Sequence, residues 1–202
     1  MEKYVFEAKT EEEVVLNALK ELNVKEEEMF YNITEEKVGL LKKKKYIMNV
    51  ILKTDVLEFS KEFLKEIING MGIEVQIETK RNENFLKLTL HSNENPLLIG
   101  KNGKTLLSLQ NILRQAILNK TGVAANILLD VENYKVKRER NIEFLAKKIA
   151  KEVEKTGVEV KMDSMNSYER RIVHNIISKN KNVTTLSEGE EPNRYVVVKP
   201  VK

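Results

Sequence analysis

The period of the apolar positions changes repeatedly along the chain, and each change marks an element. Alternation, the sign of a half-buried strand, runs through "KYVFEA" (3–8), "EMFYNIT" (28–34) and "KYIMNVIL" (45–52). Between the first two, Val15, Ala18, Leu19 and Leu22 recur at helical spacing behind Thr10, with Glu13 completing a capping-box pattern. A second helical stripe, Val56, Phe59, Phe63, Leu64, Ile67 and Ile68, follows Asp55 as its expected cap and stops at "NGMG" (69–72). Strands are then expected in "IEVQIETK" (73–80) and "NFLKLTLH" (84–91). Beyond the segment "NPLLIGKNGKTLLSLQ" comes a helix burying Leu106, Leu109, Leu113, Ala116 and Ile117, and then the strand "ANILLDV" (125–131). A long helix from 134 to 155 carries the stripe Ile142, Leu145, Ala146, Ile149, Ala150 and Val153. "GVEVKM" reads as a strand, "MNSYERRIVHNIISKN" as a helix starting near Asn166 or Ser167, and "VTTLS" and "RYVVVK" as two strands around the turn "EGEEPN".

These elements predict an α+β chain: three small α/β modules in series at 1–52, 53–133 and 134–202 on short linkers. Its 202 residues can hold that many small cores. Cysteine is absent, which excludes disulfides, thiolate metal sites and a cysteine nucleophile. No signal-peptide pattern opens the chain and its apolar runs are too short to span a bilayer, so a soluble, intracellular protein is expected. Charge is unevenly spread. Residues 1–52 sum to −2, residues 53–132 to 0 and residues 133–202 to +6, within a total of +4. The last third thus has the field of a polyanion binder, or of a lysine-rich solubilising surface. The run Lys42 to Lys45 reads first as a solvated loop, with phosphate binding as the alternative.

The string Gly103-Lys104-Thr105 looks like the end of a nucleotide-binding phosphate loop. That loop needs a glycine five residues before Gly103, and Leu98 stands there. What remains is a G-x-x-G turn, Ile99-Gly100-Lys101-Asn102-Gly103-Lys104, between an apolar segment and a helix. Its glycines allow close backbone approach, the next helix start attracts phosphate oxygens, and Lys101 and Lys104 add charge. A purely structural turn is the competing reading.

Arg170 and His174 are four residues apart on one expected helix face, at the edge of the buried side, where they would be accessible to a ligand; Arg171 points away. One nearby histidine without cysteines makes too few ligands for a metal, and no nucleophile–base pair is evident, so no metal, cofactor or catalytic site is expected. His91 is read as incidental.

In its context "LLIGKNGKTL" resembles the type II KH domain, with the order α-β-β-α-α-β. That resemblance implies that the loop clamps unpaired nucleotides. "MNSYERRIVHNII" with "VTTLSEGEEPNRYVVVK" resembles the R-x-x-x-H domain, a module associated with single-stranded nucleic acid, whose signature falls on Arg170 and His174. Tyr168, Arg171 and Arg194 are expected neighbours. The whole order resembles the bacterial Jag family, also called KhpB. Its N-terminal turn departs from the usual K-G-F-L-G, reading "KVGLLKKKK". The resemblance implies a non-enzymatic cytoplasmic RNA-binding protein linked to cell elongation, cell-wall synthesis and sporulation. It also implies single-stranded RNA (or single-stranded DNA) as ligand, with a small KH protein or a second copy as partner. A protein-interaction scaffold acting through the N-terminal module is the alternative.

Overall fold

The computed structural model describes residues 1–38 and 43–201, so the first part of the expected lysine loop, up to Lys42, lies outside the described residues. Two compact units are present, Met1–Glu132 and Asn133–Lys202. The fold is α+β, three small sheets each covered by helices.

The first sheet has the order β1-β3-β2, from β1 (Tyr4–Ala8), β2 (Met29–Val38) and β3 (Lys43–Leu52), all antiparallel. Helix α1 (Glu11–Leu22) starts as the sequence predicts, with the Thr10 side chain accepting from the Glu13 amide. Val14 and Ala18 are its fully buried residues, packed on Phe6, Met48 and Val50. Ile51 alternates to the opposite face of the sheet from Val50, yet it too is fully buried.

β3 runs straight into α2 (Lys53–Gly70), which leaves no loop position for a cap. The expected cap Asp55 therefore sits inside the first turn, where its carboxylate accepts the Glu2 amide at 3.2 Å. The inner face of α2 is Val56, Leu57, Ser60, Leu64 and Ile68. Phe59 and Phe63, expected on that face, lie at its margin and stack on each other at 5.5 Å. The second sheet, β4-β5-β6, pairs β4 (Gln76–Arg81) antiparallel and β6 (Ile127–Val131) parallel to the central β5 (Leu86–His91). The parallel pair needs a crossover, and α3 (Asn95–Ile99) and α4 (Lys104–Thr121) supply it.

β6 is an edge strand. The Asn126 carbonyl faces β5, accepting from Leu86, so residues 127 and 129 turn their backbone groups outward. The Gln110 side chain of α4 accepts from the Leu129 amide at 3.0 Å, and the Arg114 guanidinium donates to the Ile127 carbonyl, its Nε at 3.0 Å. One turn of helix thus closes the edge.

Within this unit Lys53 ties the two sheets together. It is 3% exposed. Its ammonium donates to the carbonyls of Asn82 and Glu83 in the β4–β5 turn and lies 4.9 Å from the centre of the Phe30 ring of β2. Burial pushes its pKa down. Asn32, also on β2, donates to the Gly122 carbonyl at 2.7 Å.

The second unit has the antiparallel order β7-β9-β8, from β7 (Val160–Lys161), β8 (Val183–Glu188) and β9 (Tyr195–Pro200). It is covered by α5 (Tyr134–Thr156) and α6 (Ser167–Ile177). The predicted stripe of α5 is buried except for Leu145, which is 41% exposed at its margin.

Lys53→Ala removes the donor to both turn carbonyls and the cation beside the Phe30 ring. It should lower the stability of the first unit by about 2 kcal/mol in urea unfolding. The exposed Lys65→Ala should stay within about 0.5 kcal/mol of the parent.

Candidate nucleic-acid interface

The loop between α3 and α4 is built around one close approach. Leu98, whose presence excluded a phosphate loop, is fully buried and anchors α3. Gly100 closes that helix, its amide donating to the Pro96 carbonyl at 2.8 Å, in a left-handed conformation with φ of 68°. A Cβ at Gly100 would lie 2.0 Å from Thr105 Oγ1 and 3.0 Å from the Thr105 amide. Thr105 therefore packs directly on bare glycine backbone. Asn102 (φ 54°) and Gly103 (φ 77°) are also left-handed, and the Gly103 amide returns to the Gly100 carbonyl at 3.2 Å.

The result is a tight knob ending at α4, a helix whose start no side chain caps. Uncapped first-turn amides are donors pointing along the positive end of the helix dipole. Lys101 and Lys104 are exposed on the knob, and Ile99 is half-buried beneath it. Leu97 and Leu107, in the flanking helices, are 55% and 47% exposed. A cleft of about 450 Å³ runs between α4 and the approach to β6, lined by Asn111, Arg114, Leu118, Ala125 and Asn126. Sequence reasoning singled out neither Gln110 nor Arg114. Their four-residue spacing on α4 was the available signal, but nothing in it names the β6 edge as their target.

In the second unit the arginine–histidine pair is placed differently from expectation. Arg170 is 8% exposed rather than accessible. Its Nη1 donates to the Met165 carbonyl and to Glu191 Oε1, each at 2.8 Å. The acidic turn before Arg194 thus folds back over the arginine and neutralises it. His174 is half-buried, with Nδ1 2.7 Å from Thr185 Oγ1 and Nε2 2.8 Å from Ser187 Oγ. Thr185 and Ser187 are two apart on β8, so one imidazole spans both hydroxyls of one sheet face. Burial first, and the nearby Arg170 charge second, lower the His174 pKa below its usual 6.5. Glu169, which the sequence reading passed over, completes a capping box with Asn166 and accepts from Arg138 Nε at 2.8 Å. The "N-x-x-E" spacing carried that signal. Tyr168 (61% exposed) and Arg171 face solvent, while Arg194 is half-buried with an Nε that lacks a hydrogen-bond partner.

Of the expected lysine run, Lys44 pairs with Glu35 at 3.0 Å and Lys45 with Glu7 at 2.6 Å, which leaves them less open to phosphate. His91 lies 3.4 Å from Glu78. Among the described residues no cluster of metal-ligating side chains occurs, and no helix is long and apolar enough to cross a membrane.

Comparison with known families matches residues 6–51 to the Jag N-terminus, residues 58–129 to the KhpA/KhpB KH domain and residues 140–200 to the R-x-x-x-H domain. The chain is similar to the RNA-binding protein KhpB of Clostridium symbiosum, 35% identical over 196 residues, covering 95% of this chain and 88% of that one. It is 29% identical to the RNA-binding protein KhpB of Bacillus subtilis over 193 residues, covering 93% of each. The protein of the same name from Lactiplantibacillus plantarum is 35% identical over 138 residues, which span 68% of this chain but 42% of that longer one.

Two outcomes follow from this geometry. Between the lowered folded-state pKa of His174 and about 6.5 the unfolded chain binds more protons, so the second unit should lose stability as pH falls through that window. His174→Asn should flatten this dependence in thermal unfolding followed from pH 7.5 down to about pH 5. Gly100→Ala should destabilise the loop by about 2 kcal/mol, with Thr105→Ala in the same chain recovering part of the loss in urea unfolding.

Proposed function

The chain belongs to the KhpB family of RNA-binding proteins, and from that premise we propose that it binds single-stranded RNA without catalysing a reaction. The single observation that carries the reading is the glycine knob, where exposed lysines flank a helix start that no side chain caps. Amides and lysines together suit phosphate oxygens of an unpaired strand. In this reading Ile99, Gly100, Lys101, Asn102, Gly103 and Lys104 grip the backbone. Leu97 and Leu107 offer apolar surface beside them.

The three modules are taken as 1–52, 53–133 and 134–202. In the last, exposed Tyr168 and Arg171 meet the strand, and Arg194 reaches it from the turn. Arg170 and His174 act through position, holding α6 against Met165, the acidic turn and β8. Two modest sites on one chain reinforce each other through effective concentration. The family resemblance extends the proposal to a cytoplasmic role in cell elongation and cell-wall synthesis, with a small KH protein or a second copy as partner.

Lys101→Asp with Asn102→Asp should weaken binding of a fluorescent single-stranded RNA about tenfold or more in anisotropy titrations, with unfolding unchanged. Equal affinity in parent and variant would remove the loop from the proposal.

A further inference from the structure

One strongly charged surface has no part in the site above. On α5, the residues within about 60° of Phe144 around the helix axis are Lys137, Arg140, Lys147, Lys148, Lys151, Lys155 and Asn141. No acidic residue falls inside that stripe. Phe144 stands at its centre and is 72% exposed. Arg140 precedes it by one turn, and Lys147 and Lys148 follow it by one turn.

Three other cations of this unit are engaged. Arg138 pairs with Glu169, Arg170 with Glu191, and Lys199 with Glu159 and Glu188. Among the described residues, none of the six stripe cations has a carboxylate within ion-pair distance. The nearest acids are spent or turned aside. Glu154 accepts from Asn180 and Asn182, Glu139 and Glu143 are half-buried on one flank, and Glu152 lies on the other. Like charges at four-residue spacing cost a helix stability. An aromatic ring left in water forgoes the gain of burial. The stripe bears both costs along about 27 Å of helix, which is the form of a surface kept for a polyanion with flat apolar parts.

We propose that the outer face of α5 is a further strand-binding site, on which an unpaired nucleic-acid base stacks against Phe144 while Arg140, Lys148 and Lys151 hold the flanking phosphates. The proposal rests on the RNA-binding reading and deepens it. Charge complementarity selects the occupant. An acidic membrane would also attract the cations, but the apolar face of α5 is consumed in the core by Ile142, Ala146, Ile149, Ala150 and Val153. Phe144 alone remains outward at the centre, too little for insertion. Stacking is indifferent to base identity, because every base has a π face, so this site adds affinity rather than sequence choice.

The chain contains no tryptophan, so Phe144→Trp places a single indole reporter on the stripe. A single-stranded RNA and a DNA of the same sequence should both quench its emission on titration, and the more tightly bound of the two identifies the natural strand. Phe144→Ala should weaken binding roughly tenfold, on homopolymers of different bases alike, while Phe144→Trp retains affinity. Lys148→Glu with Lys151→Glu should weaken binding and reduce the slope of log affinity against log salt by about 1.4. Parent protein that binds RNA, with unquenched tryptophan and unchanged affinities in these variants, overturns this site and leaves the loop proposal standing. Failure of the parent to bind any strand overturns both. Loss of binding to anionic phospholipid vesicles in the variants, with RNA affinity intact, would make the face a membrane contact and overturn the assignment.

Discussion

A backbone carbonyl or amide shut away from water must find a partner, and in modules this small the helices and strands cannot supply all of them. Long polar side chains fill the shortfall at each critical place. Lys53 serves the β4–β5 turn, Gln110 and Arg114 serve the outward groups of β6, and Arg170 serves the Met165 carbonyl. Each of the four is buried or half-buried. Replacing such a group by an apolar one leaves the backbone partner stranded, which is why these positions tolerate little.

That division of labour also sorts the cations by task. Side chains that finish the fold are covered and matched with an acceptor. Those on the glycine knob and on the outer face of α5 remain in water, as Lys101 and Lys148 do. A net charge of +4 conceals this sorting, because it counts both kinds alike. Only the second kind adds to a field that a polyanion meets.

The periodic elements were legible in the sequence because their signals are local. Thr10 and Asn166 both cap as their spacing predicts, and the long stripe of α5 is buried but for Leu145. The order of strands and helices around the glycine turn was legible for the same reason. The failures are non-local. Asp55 has the residue type of a cap, but its position is decided by β3 running directly into α2. Arg170 lies at the edge of its helical stripe, and no wheel shows that Met165 and an acidic turn 21 residues later in the chain close over it. The destination of the Gln110 and Arg114 side chains depends on which edge of the sheet β6 occupies, and that is a property of topology.

The closure of β6 has a bearing on how the chain is made. An open strand edge is the surface through which unfinished proteins recruit one another. Here the covering helix precedes the strand in the chain, so Gln110 and Arg114 leave the ribosome before residues 127–131 do. The edge is therefore born with its cover already waiting.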